Sequence, residues 1–186
     1  MKPVLASLAL LLAACGTTPP IQFFSLGPQA AGEVAPVATA GPSLVVGPVG
    51  VPAAIDRLHM VRLVDGVRVE VADGHRWAAP LKTEMARRIA SDIARLRGYG
   101  RVVAWPQATQ AEPDLSLPID VQRFDAEGFE RVTLEAVWTL RKGGKDLVSR
   151  RFIGSEAVAA PTYAALAAAH GRLIDALARD IAAALP

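Results

Sequence analysis

RVTLEAVWTL, Arg131 to Leu140, is the clearest strand in the chain, and its neighbours extend it into a sheet. Val132, Leu134, Ala136, Trp138 and Leu140 fall on one face; Arg131, Thr133, Glu135 and Thr139 fall on the other. That period of two marks a strand with one buried side. Gly143-Gly144 then turns the chain into a partner strand over Asp146–Ile153. On the N-terminal side, Leu117–Phe124 reads as another strand, with Pro118 better tolerated at a strand start or an edge.

Earlier segments add further strands. Ile21–Leu26, IQFFSL, is a short one, and Gly27–Pro42, rich in Ala, Gly and Pro, is a loop. Leu44-Val45-Val46 within SLVVGPVGVP, Ser43–Pro52, is a continuous apolar run of the kind buried on both faces. His59–Val71, HMVRLVDGVRVEV, is a hairpin. Its Asp65-Gly66 pair suits a two-residue turn because both positions tolerate positive φ. Val67, Val69 and Val71 alternate with Arg68 and Glu70, which predicts a half-buried second arm. Arg101–Trp105 is a short strand closed by Pro106.

Two segments carry helical periodicity instead. Trp77–Arg97 places Leu81, Met85, Ile89, Ile93 and Leu96 on one stripe, with Lys82, Arg87, Arg88 and Arg95 mostly off it. Pro80 suits the first turn, and Gly98-Tyr99-Gly100 stops the helix. Thr162–Leu185 buries Tyr163, Leu166, His170, Leu173, Leu177 and Ile181, and leaves Asp175 and Arg179 to pair on the wet side. The late strands are joined by short turns. The expected architecture is therefore α+β: a single domain with a mixed, mostly antiparallel sheet and two long amphipathic helices packed on it.

The N-terminus has a different logic. LALLLAACG, Leu8–Gly16, holds the single cysteine of the chain, directly after eleven uncharged residues from Val4 to Ala14. A positive start at Lys2, a short apolar core and small residues before Cys15 make a secretory signal peptide. The apolar run is too short to span a bilayer, which takes about 20 residues. Leu12-Ala13-Ala14-Cys15 also resembles a bacterial lipobox, in which cleavage precedes a diacylated cysteine. Residues 1–14 are then a signal peptide, 15–20 a lipidated tether and 21–186 the folded domain. Cys15 is the lipidation site, which leaves no free thiol for disulfide, metal or nucleophile chemistry. Gly16, where an inner-membrane retention signal has Asp, favours the outer membrane.

Composition excludes several functions. Twenty basic and 18 acidic residues give +2, with no Lys/Arg block to mark a nucleic-acid footprint. His59, His75 and His170 lie on a strand, a loop and a helix without metal-ligand spacing. There is no nucleophile elbow, phosphate loop or dinucleotide fingerprint, so no cofactor and no catalytic residue is assigned. Asp56, Asp65, Glu70 and Asp73 suit turns and surface better than a carboxylate pair. Trp138 sits on a strand's apolar face and Trp105 at a strand end, both core positions. Trp77, after Arg76, is open to either a core or a contact role.

Six segments recur in a familiar order. FFSLGP (Phe23–Pro28), VGPVGVPAAIDRLHMV (Val46–Val61), RWAAPL (Arg76–Leu81), VVAWP (Val102–Pro106), DVQRFDA (Asp120–Ala126) and AVWTL (Ala136–Leu140) follow the lipobox. Together they resemble the ABC-type transport auxiliary lipoproteins, the PqiC-like family (paraquat-inducible protein C). Phe23-Phe24 and Ala53-Ala54 depart mildly from it, since family members commonly have Tyr at the first pair and a bulkier residue near the second.

The resemblance implies a non-enzymatic subunit of lipid traffic, anchored in the outer membrane on its periplasmic face. It implies partners too: an MCE-domain protein and an inner-membrane permease or PqiA-like protein, with self-association into a homo-oligomer. Such a domain acts through surfaces. Arg57, Met60, Arg76 and Trp77, near loop ends, are the candidate partner contacts, an arginine and aromatic composition typical of interface anchors. A lipid-binding carrier or an outer-membrane assembly lipoprotein is the alternative, and it requires a deep apolar pocket. A hydrolase requires convergent polar groups in a cleft.

Overall fold

The computed structural model describes residues 20–28, 41–106 and 112–186. The signal segment, Cys15, most of the tether and most of the expected Gly27–Pro42 loop lie outside them. Among the described residues, eight strands and two helices follow one another as β1 (Gln22–Phe24), β2 (Leu44–Gly50), β3 (His59–Val64), β4 (Arg68–Trp77), α1 (Leu81–Arg97), β5 (Val102–Ala104), β6 (Leu115–Glu127), β7 (Arg131–Lys142), β8 (Lys145–Ala157) and α2 (Tyr163–Ala184).

One mixed sheet holds all eight strands. Long β6 is its axis. Along one edge β6 takes β2 from Leu115 to Asp120, and β3 further on at Glu127. Along the other edge it takes β7, which takes β8. β5 flanks β2, and the β3–β4 hairpin continues to β1.

The sheet is not mostly antiparallel, contrary to the sequence expectation. β1–β4, β2–β5, β2–β6 and β3–β6 are parallel; β3–β4, β6–β7 and β7–β8 are antiparallel. Short turns reveal only the antiparallel neighbours. A parallel neighbour needs a crossover, and here the crossover from β2 to β5 contains the whole hairpin and α1. Nothing local in the sequence marks it.

Pro118 lies well inside β6 rather than at an edge. It falls where the β2–β6 register shifts, between the pairs Val46↔Leu117 and Val49↔Ile119. A residue without an N–H is tolerated at such an irregularity. β4 also runs to Trp77, so α1 starts at Leu81 with Pro80 at its N-cap. Its C-terminal stop is as expected, with Gly98 in the left-handed region at φ 64°. Thr162 caps α2, its side-chain oxygen accepting from the Ala165 N–H at 3.2 Å.

The helices cover the sheet: α1 packs on β2 and β5, α2 on β7 and β8, and the two pack on each other. The inward faces of β6 and β7 supply Leu117, Ile119, Val121, Phe124, Leu134, Ala136, Trp138 and Leu140, all nearly inaccessible to solvent. Trp138 is in the core as expected, and its indole N–H donates to Asp180 of α2 at 2.9 Å. Trp105 is not a core residue, being 53% exposed at the end of β5.

A charged cluster lies between the helices. Arg88 of α1 donates from Nε to Asp92 at 3.0 Å and from its guanidinium to Asp175 of α2. The same guanidinium donates to the Gly27 carbonyl at 2.6 Å and the Leu26 carbonyl at 3.3 Å. Asp175 is thus a buried partner of Arg88, and the expected wet-side pair with Arg179 is not formed. Burial raises the Asp92 carboxyl above the usual carboxylate range; Arg88 pulls it down, and neighbouring Asp175 pushes it up again.

Candidate functional site

The β3–β4 hairpin is where sequence and structure part most usefully. Its turn is as read: Asp65 and Gly66 have φ of 56° and 74°, the two positive values a tight hairpin turn of this hand requires. Its two faces are the reverse of the expected pattern.

The inward face is polar. Arg62 and Glu70 stand opposite one another across the strands and form an ion pair. The Arg62 guanidinium lies 4.0 Å from the Phe129 ring centroid and 5.4 Å from that of Tyr163. Tyr163 Oη reaches Glu70 at 3.4 Å, and its ring stacks on His75 at 3.8 Å. His75 in turn stacks on Phe24 at 5.8 Å. Burial pulls the Arg62 pKa down, but Glu70 and Tyr163 more than offset it, and the net shift is upward. The start of α2 is thus fastened to the hairpin by cation–π and charged contacts.

The outward face is apolar. Val61 stands opposite Val71 and Leu63 opposite Val69. Because neighbours along a strand alternate, these four point away from Arg62, Glu70 and α2. Val67 is 86% exposed and Val69 49%. The second arm is therefore not half-buried through its valines. It is seated through Ala72 instead, while the valines meet solvent and Glu70 stays at the surface beside Arg62. On β1, opposite Arg76, Phe23 is 61% exposed, since Phe24 takes the inward position.

The same alternation sorts the four candidate contact residues. Met60 and Trp77 are core side chains, 1% and 4% exposed, so no exposed contact surface is built on them. Trp77 meets His170 at 5.3 Å, edge to face. Arg57 is exposed, in the segment before β3. Arg76 pairs in register with Phe23 on one side and His59 on the other, and its Nε is buried with no hydrogen-bond partner. Sequence position near loop ends did not separate these pairs; strand alternation did.

His170 is a fully buried imidazole whose pKa is strongly lowered. Phe124 at 4.7 Å and Trp77 at 5.3 Å enclose its ring, and Nδ1 bonds the Leu166 carbonyl at 2.8 Å. Desolvation pushes its pKa down to about 4 despite that bond, so the imidazole is neutral at pH 7. No nucleophile or carboxylate contacts it, and its place is that of a packed core residue. Among the described residues no three His, Cys, Asp or Glu side chains converge as a metal site would require.

Cavities follow the same pattern. The space beneath the hairpin, between His59, Met60, Trp77, Leu81, Phe124 and His170, measures about 10 Å³. That is room for one water at most, not an acyl chain. Two larger hollows, about 410 Å³ beside α1, β5 and Trp105 and about 430 Å³ at the hairpin turn, are open at the surface and half polar. The pocket required of a lipid carrier is not among them. No helix among the described residues is long and apolar enough to cross a membrane.

No curated protein matches the sequence closely enough to name a relative. Two crystal structures share the fold. One, of an uncharacterized protein, aligns with a TM-score of 0.72 over 89% of this chain and 98% of its own, at 18% identity. The other, a DUF330 protein from Xanthomonas campestris, aligns with a TM-score of 0.70 over 87% of this chain and 92% of its own, also at 18% identity. A family model matches residues 24–182, nearly the whole folded domain, and the chain thereby belongs to the family of ABC-type transport auxiliary lipoprotein components.

Proposed function

We propose that the protein is the lipid-anchored auxiliary subunit of an MCE-type intermembrane lipid transport system, docking the conduit at the periplasmic face of the outer membrane. The observation that carries this reading is the match to the auxiliary lipoprotein family across residues 24–182. The PqiC-like order of segments and the lipobox at Cys15 extend it to the finer assignment. In this reading residues 1–14 are removed, Cys15 carries the acyl chains, and the domain engages an MCE-domain protein while an inner-membrane permease or PqiA-like protein completes the system. Copies of the domain assemble around the conduit end as a homo-oligomer. Arg57 and Arg76 remain the candidate contacts, since both are accessible from the surface.

The role is one of binding and placement rather than catalysis, as the family's auxiliary function implies. Restricting a domain to a membrane plane raises its effective concentration for a partner held there. A crosslinked pull-down of the full-length protein from envelope membranes, with mass spectrometry of the partners and of Cys15, tests the reading. Recovery of an MCE-domain protein with acylated Cys15 is the expected result. Acylated Cys15 with neither an MCE-domain protein nor a permease would overturn it.

A further inference from the structure

The outward face of β1–β4–β3 has no cover among the described residues, yet it is apolar across three strands. Val69 and Val71 on β4 face Leu63 and Val61 on β3, Val67 stands in the turn before β4, and Phe23 and Ile21 lie further along the same face, on and before β1. Exposed valines scattered singly need no explanation, but apolar pairs matched across two strands and left at the surface do.

The geometry points to its occupant. β1 pairs with β4 in parallel, Gln22 opposite His75 and Phe24 opposite Trp77. Traced backward from Gln22, the chain therefore enters β1 from the side of the hairpin turn, where Val67, Val69 and Val71 lie. Six residues, Gly16 to Ile21, separate Cys15 from Gln22. At full extension the seven steps of chain reach no further than about 25 Å. A bilayer holding acyl chains on Cys15 thus lies within that distance of the start of β1, on the side from which the hairpin turn is approached. Arg76, in register beside Phe23, and Arg57 supply cationic groups at the border of the patch, and neither forms an ion pair with a described residue. An apolar patch with basic residues at its edge is the composition that seats in the headgroup region of a membrane.

We propose that this face docks on the lipid bilayer that carries the Cys15 anchor, so that the hairpin lies against the headgroups and β8, at the far side of the sheet, points into the periplasm. The proposal rests on the lipoprotein reading above. It adds an orientation. Without a second contact a single tether lets the domain tumble; with one, the remaining surface is presented to partners in a fixed pose.

Full-length acylated protein in vesicles of phosphatidylethanolamine and phosphatidylglycerol tests it. Acylation blocks Cys15, so Phe23→Cys, Val69→Cys and Leu147→Cys each carry one bimane label, at positions already exposed. Nitroxide lipids with the spin label near the headgroup are the quencher, with circular dichroism as the check on folding. The expected result is loss of most of the emission at positions 23 and 69 and little loss at 147. Equal quenching at all three, or quenching at none with acylated Cys15 confirmed by mass spectrometry, overturns the docking and leaves the anchor reading standing. Unacylated Cys15 overturns both. Shielding of positions 23 and 69 only when transport partners are added, and not by lipid, assigns the face to a protein and overturns the proposal.

Discussion

Arg88 of α1 forms a buried ion pair with Asp175 of α2, 87 residues further along the chain. One guanidinium ties together both helices and the segment that leaves β1, because it also serves Asp92 and the Leu26 and Gly27 carbonyls. Both carboxylates bond that cation in a site almost closed to water; Asp92 Oδ1 has no hydrogen-bond partner, and the Arg95 guanidinium stands 3.9 Å from it.

Removing the cation is therefore costly. Arg88→Met leaves Asp92 and Asp175 buried and uncompensated, and we expect a loss of about 3–5 kcal/mol. Urea unfolding of the mature domain measures it. Arg88→Met combined with Asp92→Leu and Asp175→Leu is expected to recover most of the loss, since an apolar triad no longer strands a charge. A triple variant as unstable as the single would show that the cluster's hydrogen bonds, not its charges, dominate.

His170 gives the acid limb of stability a defined origin. Its folded pKa, about 4, lies below the ordinary 6.5. Between those values the unfolded chain binds a proton that the folded chain refuses, so stability falls as pH drops through this window. A gap of this size corresponds to about 3 kcal/mol, complete near pH 4. His170→Leu is expected to flatten the curve between pH 6.5 and 4 when unfolding free energy is measured against pH. An unchanged slope would assign the acid sensitivity to other groups.

Gly171 on α2 admits no side chain. A Cβ there would stand 2.0 Å from the Leu26 carbonyl oxygen, a backbone atom that cannot rotate away. Gly171→Ala should push α2 off the segment after β1 and cost about 2–3 kcal/mol, as overpacking in a tight core does. In a domain of this size that lowers Tm by roughly 5–10 °C. Gly74→Ala, where nothing lies within 4 Å, is the control expected to change Tm little.

The proposed anchor at Cys15 makes localisation a test. Cys15→Ala leaves no thiol in the chain, because this is its only cysteine. The variant is expected in the soluble fraction after envelope lysis, where the parent sediments with membranes, since stable attachment needs the acyl chains. Sedimentation of the variant with membranes would mean that the apolar face or a partner suffices for attachment.

Several features were legible in the sequence alone because their causes are local. The β7 alternation, the Asp65-Gly66 turn and the Gly98 stop depend on a residue and its near neighbours. The lipobox is likewise a short linear signal read by a peptidase, independent of any fold. What alternation does not say is which of two faces turns inward. Val67, Val69 and Val71 were the obvious candidates for burial, yet they stay exposed, while Arg62 goes in on the other face with Glu70 at its edge. The sites waiting on that side, Phe129, Tyr163 and His75, come from residues far along the chain and reward a guanidinium more than a valine. The same choice placed Met60 and Trp77 inside and Arg76 outside.

The parallel pairings and the Arg88–Asp175 pair belong to the same class. Both join segments separated by dozens of residues, and their free energy arises only when the crossover and the helix contact have formed. Local propensity was therefore settled by the sequence near each position. The identity of the buried face and the direction of the inner strands were settled by tertiary contacts, because only those contacts decide which atoms lose their water.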